Sequence, residues 1–481
     1  MSTSERTPLN PEVPVPQDSW RPKRIVAFGA ALVVAITVFF VASTFPSAEV
    51  IKNESVQQPT RRSIFDCDSV QQESGYIKLA NRVDDHYFYW YFESRDEPAN
   101  DPLVVWLSGG AGCSSIMALF VENGPCHIKD DITPEYNPHS WNTRANVIWL
   151  DQPSNTGFSY AASEDVDHDA EDVGANFYAF LQGFLDKHPE LHGRPLFVTG
   201  ESYAGHYIPN IANRIMQQKT NDERINLKGI AIGNGLMNPI LQLEHTLDMV
   251  DNQYNVTLLT DKEYEQALAA QTKYASIGNE YLATGKQEYF AALVEGWQRI
   301  MTPFSTSRRN PYDIREPCYE AYLVDCYDVS TTKIFLNLEN VKAELNALPT
   351  KHWLECNASI SAPFFGGDAV QNHATLIADL LNTTDLRVLL YVGDADTICN
   401  WHGVKAVATG LEWKHQDEFN AAEECLYFTS NYSVTAGSIK SYKDQLTLLR
   451  LFNAGHMVPH DQPAVALEMI NTFIHGDAFA T

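Results

Sequence analysis

The stretch LFVTGESYAG at residues 196–205 decides the fold of this 481-residue chain. A short apolar run leads into Ser202, which lies between Gly200 and the pair Ala204-Gly205, and a helix-like segment follows. A strand, a tight turn and a helix in this order form a nucleophile elbow, in which the turn exposes a serine hydroxyl at the top of a sheet. An ordinary strand-to-helix turn has the same local pattern, so the assignment of Ser202 as a nucleophile depends on partners elsewhere in the chain.

A catalytic serine needs a histidine base and a carboxylate that orients the histidine. Behind a nucleophile elbow, the chain order is serine, acid, histidine. Residues 386–393 form an apolar run typical of a buried strand, and Asp394 and Asp396 follow it directly. A second strand-like run at 446–452 ends just before His456. Position and order therefore select His456 as the candidate base among 15 histidines, and they leave both aspartates as candidate acids.

The loop after an early strand should supply the oxyanion hole. Residues 103–107 read as that strand, and Ser108-Gly109-Gly110 follow it. Consecutive glycines let backbone N–H groups converge on one point, whereas a phosphate-binding loop would need a lysine that is absent from the corresponding position. The loop and the elbow together predict an α/β-hydrolase fold.

Further motifs complete a family pattern. They are Trp106-Leu107, Gly112-Cys113-Ser114-Ser115, Glu122-Asn123-Gly124-Pro125, Ser140-Trp141-Asn142, Leu150-Asp151-Gln152-Pro153, Gly157-Phe158-Ser159-Tyr160, Gly233-Asn234-Gly235, Tyr312-Asp313-Ile314-Arg315 and Gly455-His456-Met457-Val458-Pro459. From about Cys67 to the C-terminus the chain resembles the serine carboxypeptidase family, and within it the branch that contains carboxypeptidase Y and lysosomal cathepsin A. Several independent motifs in the right order make the resemblance far more specific than one motif would.

The resemblance implies an enzyme that releases C-terminal amino acids from peptides and proteins at acidic pH through an acyl-enzyme. Ser202 matches the family's nucleophile and His456 its base, and between the two aspartates the resemblance selects Asp396 as the acid. The backbone N–H groups of Gly110 and Tyr203 match the oxyanion hole.

The family recognises the C-terminal carboxylate of its substrate with two glutamates, which Glu122 and Glu201 match, together with the residues at Ser108 and Gly109. Two neighbouring carboxyls cannot both ionise easily, so one keeps a proton in mild acid and can donate a hydrogen bond to the substrate carboxylate. Members usually carry asparagine at the position of Ser108 and proline at that of Ala111. A serine hydroxyl also donates, but it is shorter than the asparagine amide.

The resemblance also implies a pocket for the departing C-terminal residue. Met457, Tyr312 and Tyr327 match residues that line this pocket, and Cys399 matches a free thiol near the scissile bond. Together they predict a preference for bulky apolar C-terminal residues.

Eight cysteines and five Asn-x-Ser/Thr sequons indicate a luminal or extracellular protein. The sequons lie at Asn53, Asn255, Asn357, Asn382 and Asn431. By the resemblance, Cys113 pairs with Cys356 and Cys318 with Cys326, while the pairing of Cys67, Cys126 and Cys425 stays open.

The first 60 residues differ from the rest. Residues 1–24 are polar, rich in proline and basic at their end, so we expect a disordered cytoplasmic tail. The uncharged apolar run at 25–45 has the length of a membrane span, so it predicts a single-pass type II signal-anchor more than a cleaved signal peptide. Residues 46–62 read as a polar stem. These features predict a luminal enzyme of the secretory pathway, in the lysosome or vacuole or outside the cell.

Beyond the stem, we expect an α/β fold whose hydrolase domain spans 63–235 and 365–481, with a mainly helical cap inserted at 236–364. A net charge of −27 argues against a general nucleic-acid binder. No metal-ligand cluster or cofactor motif stands out, and serine catalysis needs neither. The membrane is an expected partner only through the N-terminal segment, and the oligomeric state stays open.

Two other functions compete with peptide hydrolysis. An acyltransferase or esterase on the same scaffold would fit the loss of asparagine at Ser108, although Glu122 and Glu201 argue against it. A protective or scaffolding partner in a lysosomal complex would need no catalysis, which an intact triad opposes.

Overall fold

The computed structural model describes residues 67–218, 222–318, 326–430 and 434–481. Within these ranges no helix combines the length and the apolar character needed to cross a membrane. The expected tail at 1–24, the apolar run at 25–45 and the stem at 46–62 lie outside the described residues, as do the sequons at Asn53 and Asn431.

The secondary structure alternates strands and helices through most of the chain. The strands are β1 Gln72–Lys78, β2 Asp85–Phe92, β3 Leu103–Leu107, β4 Cys126–Ile128, β5 Pro134–Tyr136, β6 Asn146–Leu150, β7 Tyr160–Ala161, β8 Pro195–Glu201, β9 Asn226–Gly233, β10 Arg309–Asn310, β11 Asp313–Pro317, β12 Arg387–Gly393, β13 Cys425–Phe428, β14 Thr435–Tyr442 and β15 Leu446–Leu451. The α-helices are α1 Ser115–Val121, α2 Ala170–Lys187, α3 Ala204–Gln218, α4 Pro239–Leu243, α5 Asp261–Thr284, α6 Gln287–Thr306, α7 Ser330–Leu336, α8 Glu339–Glu344, α9 Ala358–Phe364, α10 Ala374–Thr383, α11 Trp401–Gly410, α12 Gln416–Ala421, α13 Val458–Asp461 and α14 Pro463–His475.

One large mixed sheet organises the described chain, with the strand order β1-β2-β6-β3-β8-β9-β12-β15-β14-β13 and β7 paired to β2. The six central strands from β6 to β15 in this order are parallel, and the outer strands pair antiparallel. Alternate residues enter different cores: Val105 packs in the cluster that includes α2 and α3, whereas Trp106 packs in the cluster that includes α1 and α14. Burial on both faces explains why the central strands are apolar throughout.

A helical insertion separates β9 from the helix that leads into β12. It leaves the sheet after Met237 and returns at α10, where the backbone N–H groups of His373 and Ala374 both donate to the Met237 carbonyl at 2.9 and 3.1 Å. Helices α5 and α6 form a hairpin within it and pack in a separate apolar cluster with Leu247 and Ile314. The interpretation of residues 236–364 as a cap stays a prediction.

Three disulfides connect the described cysteines. Cys113–Cys356 and Cys318–Cys326 are the two pairs that the family resemblance implies. The third, Cys67–Cys126, joins two of the cysteines whose pairing the sequence left open, and Cys399 and Cys425 are free. Because Cys113 follows β3 and Cys356 lies in the insertion, the Cys113–Cys356 disulfide ties the glycine-rich loop to the insertion.

Three sequons fall in the described ranges. Asn255 and Asn382 are exposed, whereas Asn357 is half-buried and caps α9 by accepting a hydrogen bond from Ser359 N. Glycosylation of each stays a prediction.

Candidate active site

Five loops meet at the carboxyl edge of the central sheet. They follow β3, β8, β9, β12 and β15, which are neighbours in the sheet and run parallel. Because parallel strands end at the same edge, side chains that are far apart in the chain converge there. The loops carry, in that order, Ser108 to Gly110, Ser202, Asn234, Asp396 and His456.

Ser202 occupies the elbow that its sequence predicts. Strand β8 ends at Glu201 and helix α3 begins at Ala204, so only two residues make the turn. Ser202 has φ of 62°, a left-handed conformation that side-chain-bearing residues rarely adopt. Its backbone N–H donates to Gly233 O at 3.0 Å, which holds the turn against β9. The strained turn is the geometry that presents a serine hydroxyl to a substrate.

Asp396 orients His456. The distance between His456 Nδ1 and Asp396 Oδ2 is 2.7 Å, and both side chains are buried. Asp396 also accepts hydrogen bonds from Ile398 N at 2.8 Å and Cys399 N at 3.2 Å. Burial alone would lower the pKa of His456, but the charge and hydrogen bond of Asp396 raise it above its ordinary value. An imidazolium at His456, as serine catalysis requires of a base, would therefore be stabilised at this position.

Asp394, the other candidate acid, points elsewhere. Its carboxylate accepts hydrogen bonds from the Tyr254 hydroxyl, the Gln253 amide and the backbone N–H of Asn453, and it lies 3.7 Å from the Arg450 guanidinium. These contacts join the end of β12 to the insertion. The geometry thus separates two aspartates that the residue pattern alone could not distinguish.

The glycine-rich loop closes against the elbow. A Cβ at Gly109 would lie 2.4 Å from Tyr203 N and 2.9 Å from Ser202 Cβ, so only glycine permits this approach. Within the described residues, the backbone N–H groups of Gly110 and Tyr203 donate no hydrogen bond. Two free donors beside a half-buried serine on a tight turn are what an oxyanion hole requires.

Glu122 and Glu201 form a buried carboxyl pair beside this loop. Their side chains are 1% and 3% exposed. No other donor among the described residues reaches either oxygen of Glu122 or Oε2 of Glu201, and the two carboxyl groups hydrogen-bond to each other when one of them is protonated. Burial raises the pKa of Glu122 to about 8. Burial, and then the charge of Glu122, raise the pKa of Glu201 well above its ordinary range, so the pair retains a proton in mild acid.

Ser108 is held on three sides. Its Oγ accepts a hydrogen bond from Trp106 Nε1 at 3.3 Å, its carbonyl accepts one from Gln152 Nε2 at 3.2 Å, and its N–H donates to Ser115 Oγ at 3.0 Å. Because the hydroxyl oxygen already accepts from the indole, its own proton remains available to donate. The side chain is therefore fixed in place and can still bind an anion.

Three of the expected pocket residues cluster near His456, the candidate base. The Tyr312 ring lies edge-on to the His456 ring at 5.0 Å, and its carbonyl accepts from His456 N at 2.7 Å. Tyr327 packs against Tyr312 at 6.1 Å, and Met457 is buried next to the base. Cys399 is buried as well, and burial raises the pKa of its thiol well above the ordinary value, which keeps it protonated.

Asn234 is a site residue whose role the sequence did not reveal. It is fully buried, and its amide Nδ2 donates to Asp396 Oδ2 at 2.8 Å while its Oδ1 accepts from Gly393 N at 3.1 Å. The motif Gly233-Asn234-Gly235 was a signal of its importance, but nothing in the motif says that the amide faces the acid.

A second cluster of titratable groups lies behind the elbow. One potential metal-ligand atom from each of His206, Asp368 and His373 lies within 4.8 Å of the other two, as in a metal site. However, the Asn210 amide donates to His373 Nδ1 at 2.9 Å, which leaves the ring proton on Nε2, facing Asp368 Oδ1 at 3.4 Å. Asp368 also accepts from the Tyr203 hydroxyl at 2.7 Å. The cluster therefore contains a hydrogen-bond network that supports the elbow, while Nε2 of His206 and Nε2 of His373 make no hydrogen bond among the described residues.

The comparison with known families agrees with this geometry. The model of the serine carboxypeptidase family matches residues 64–476. The chain belongs to the serine carboxypeptidase family. It is a serine-type enzyme that releases C-terminal amino acids, and the expectations from the motifs are confirmed at this level.

Its relatives include two carboxypeptidases Y. That of Saccharomyces cerevisiae is 38% identical over 441 residues, which cover 89% of this chain and 81% of the relative. That of Candida albicans is 40% identical over 415 residues, which cover 85% and 74%. Among solved structures, Kex1Δp, a prohormone-processing carboxypeptidase from Saccharomyces cerevisiae, superposes with a TM-score of 0.76 at 26% identity over 86% of this chain and 93% of the other. This similarity and the sheet order confirm the predicted α/β-hydrolase fold.

Proposed function

We propose that Ser202, His456 and Asp396 form the catalytic triad, and that Glu122 and Glu201 read the free carboxylate of the substrate. The observation that supports this proposal is the pair of buried glutamates beside the elbow, which have each other as partner and receive no other donor among the described residues. Burying a polar group with too few hydrogen bonds costs free energy. A ligand that hydrogen-bonds to these oxygens would offset that cost, which favours its binding. A protonated carboxyl pair suits a carboxylate ligand, because it can donate where an ionised pair would repel.

Each step then has an assigned group. Ser202 Oγ attacks the carbonyl carbon of the last peptide bond and passes its proton to His456, while the oxyanion accepts from Gly110 N and Tyr203 N. His456 returns the proton to the leaving nitrogen as the C–N bond breaks. Water then attacks the acyl-enzyme with the same base, which frees Ser202.

The remaining pocket residues support a substrate class. Tyr312, Tyr327 and Met457 offer apolar surface beside the base, which favours bulky apolar leaving residues. Ser108 and Gly109 complete the carboxylate site, Ser108 with a hydroxyl in place of the family's amide.

The location of the enzyme is also a proposal. Three disulfides support a luminal compartment of the secretory pathway, and the buried acids support an acidic one such as the vacuole or lysosome. Residues 25–45 would serve as an anchor or as a signal, and the N-terminal sequence of the mature protein distinguishes the two.

The test uses blocked dipeptides and matched ester analogues at mildly acidic pH. We expect release of the free C-terminal amino acid, and covalent labelling of Ser202 by an organophosphonate. Ser202→Ala should remove both. Turnover of esters without peptides would favour an acyltransferase or esterase, and turnover of neither would favour a scaffolding role.

A further inference from the structure

Glu201, Gly233 and Tyr391 stand side by side at the carboxyl edge of the sheet. Glu201 on β8 pairs with Gly233 on β9, and Gly233 pairs with Tyr391 on β12. Residues in parallel register place their side chains on the same face, and neighbouring strands are about 4.8 Å apart. Glu201 and Tyr391 therefore share a face and are separated only by the position at which Gly233 has no side chain.

The phenol of Tyr391 fills that position. A Cβ at Gly233 would lie 2.3 Å from Tyr391 Cζ and 2.5 Å from its hydroxyl oxygen. The ring therefore lies across β9, and its hydroxyl has moved about one strand spacing towards β8 and Glu201. A side chain at position 233 would occupy the space in which the phenol extends towards Glu201.

The hydroxyl lacks a partner in the described residues. Tyr391 is fully buried, yet its oxygen makes no hydrogen bond among the described residues and is therefore not bonded to Glu201 in the structure. The carboxyl groups of Glu201 and Glu122 have only each other as partners. Burial, followed by the charges of Glu201 and Glu122, raises the pKa of Tyr391 well above its ordinary value. The phenol is thus a protonated donor within electrostatic reach of two acceptors, and buried tyrosine hydroxyls usually find one.

We propose that Tyr391 is a positioning residue of the carboxylate site, whose hydroxyl donates to Glu201 once the carboxyl pair has lost its proton and thereby stabilises the ionised form of the pair. The inference rests on the proposed function of Glu122 and Glu201. A donor that favours the charged form lowers the pH at which the pair loses its proton. Tyr391 thereby sets the upper pH limit of peptide binding.

Other titratable groups also face the pair. They are His456, Asp396, Asp461, Cys399, Tyr312 and Tyr327. All of them remain in a Tyr391→Phe variant, which removes one oxygen atom and keeps the ring. A change in pH dependence can therefore be assigned to the hydroxyl.

The experiment compares kcat/KM against pH for a blocked dipeptide and for the same substrate with its C-terminal carboxylate blocked. In Tyr391→Phe the alkaline limb for the free-carboxylate peptide should move up by about one pH unit, the equivalent of one hydrogen bond to a charged group. At pH values on that limb, KM for the peptide should fall in the variant, whereas kcat should stay close to the wild-type value. The profile of the blocked substrate should stay unchanged, because it makes no use of the pair.

Tyr427→Phe is the matched control. Tyr427 is also buried with an unpartnered hydroxyl among the described residues, but it lies on β13 at the far edge of the sheet. We expect both of its profiles to match the wild type. Gly233→Ala provides a second variant, since the added methyl group would displace the phenol and should reproduce the Tyr391→Phe shift.

The outcomes separate the two levels of the proposal. Coincident wild-type profiles for the two substrates would overturn the role of the carboxyl pair itself. Distinct wild-type profiles with an unmoved limb in Tyr391→Phe would overturn the role of Tyr391 alone. An equal shift for both substrates would also overturn it, because the hydroxyl would then act through the triad.

Discussion

Replacement of Asn234 should slow catalysis without changing substrate recognition. The Asn234 amide is one of four donors to Asp396, together with His456 Nδ1, Ile398 N and Cys399 N. Its loss leaves the other three in place, so Asp396 stays buried and charged but is held less firmly. We therefore expect a partial loss of activity rather than inactivation.

The magnitude follows from the contact that is lost. A hydrogen bond to a charged group contributes about 1.5–3 kcal/mol. If the whole of it is realised as His456 gains its proton in the transition state, kcat/KM falls by roughly 10- to 150-fold. Asn234 also has φ of 40°, so Asn234→Ala adds left-handed strain of about 1–2 kcal/mol to the folded state, which Asn234→Gly avoids.

The assay measures kcat/KM of both variants for a peptide and for an ester, with thermal unfolding beside it. Both substrates should lose the same factor, since the triad acts on each, and the alanine variant should melt at the lower temperature. Asn346→Gly is the control, because Asn346 also has positive φ, of 55°, but is exposed and bonds Ser74 O. If Asn234→Gly keeps more than half of the wild-type kcat/KM, the amide does not position Asp396.

Three further expectations concern charge and recognition. Glu122→Gln with Glu201→Gln should flatten the alkaline fall in kcat/KM for peptides, because a neutral amide donates at every pH. If the fall persists, a different titratable group causes it. Ser108→Asn should lower KM more than it changes kcat, by about 1–3 kcal/mol at most, and an unchanged KM would mean that the loop already compensates. Burial raises the pKa of Asp85 to about 7, so the unfolded chain loses this proton near pH ~4 and the folded chain only near 7. Stability should therefore fall as pH rises through that window, and Asp85→Asn should reduce the fall in melting temperature between pH 4.5 and 7.5.

Local patterns in the sequence located the strands well. The run at 103–107 is strand β3, and the runs at 386–393 and 446–452 differ from β12 and β15 by one residue each. These strands are buried on both faces, so their sequences are apolar without interruption and easy to recognise. The loops after β3, β12 and β15 carry Gly109-Gly110, Asp396 and His456, and the loop after β8 carries Ser202, which is why a triad could be proposed from the sequence.

Contacts across the sheet could not be read in the same way. Strand β6 lies between β2 and β3, and no local pattern encodes that order. Asn234 and Tyr391 meet the site because β9 and β12 are in register, and Cys67 bonds Cys126 within an apolar cluster to which β2 and α1 also contribute. Such pairings depend on tertiary geometry, whereas propensity and periodicity report only on neighbours in the chain.

The insertion leaves and rejoins the sheet at a single carbonyl, that of Met237. A segment whose two ends already touch can change in length with little entropic cost to the rest of the chain, because the closure is fixed by the scaffold. Tyr312 and Tyr327 lie within this segment, whereas the three triad residues lie outside it. Segments exchanged between relatives at this junction, with Cys356 retained for its bond to Cys113, should transfer the choice of leaving residue and keep the acyl-transfer machinery intact. The proposed division would place most of the specificity in an exchangeable segment, with Met457 as the pocket residue that stays with the hydrolase scaffold.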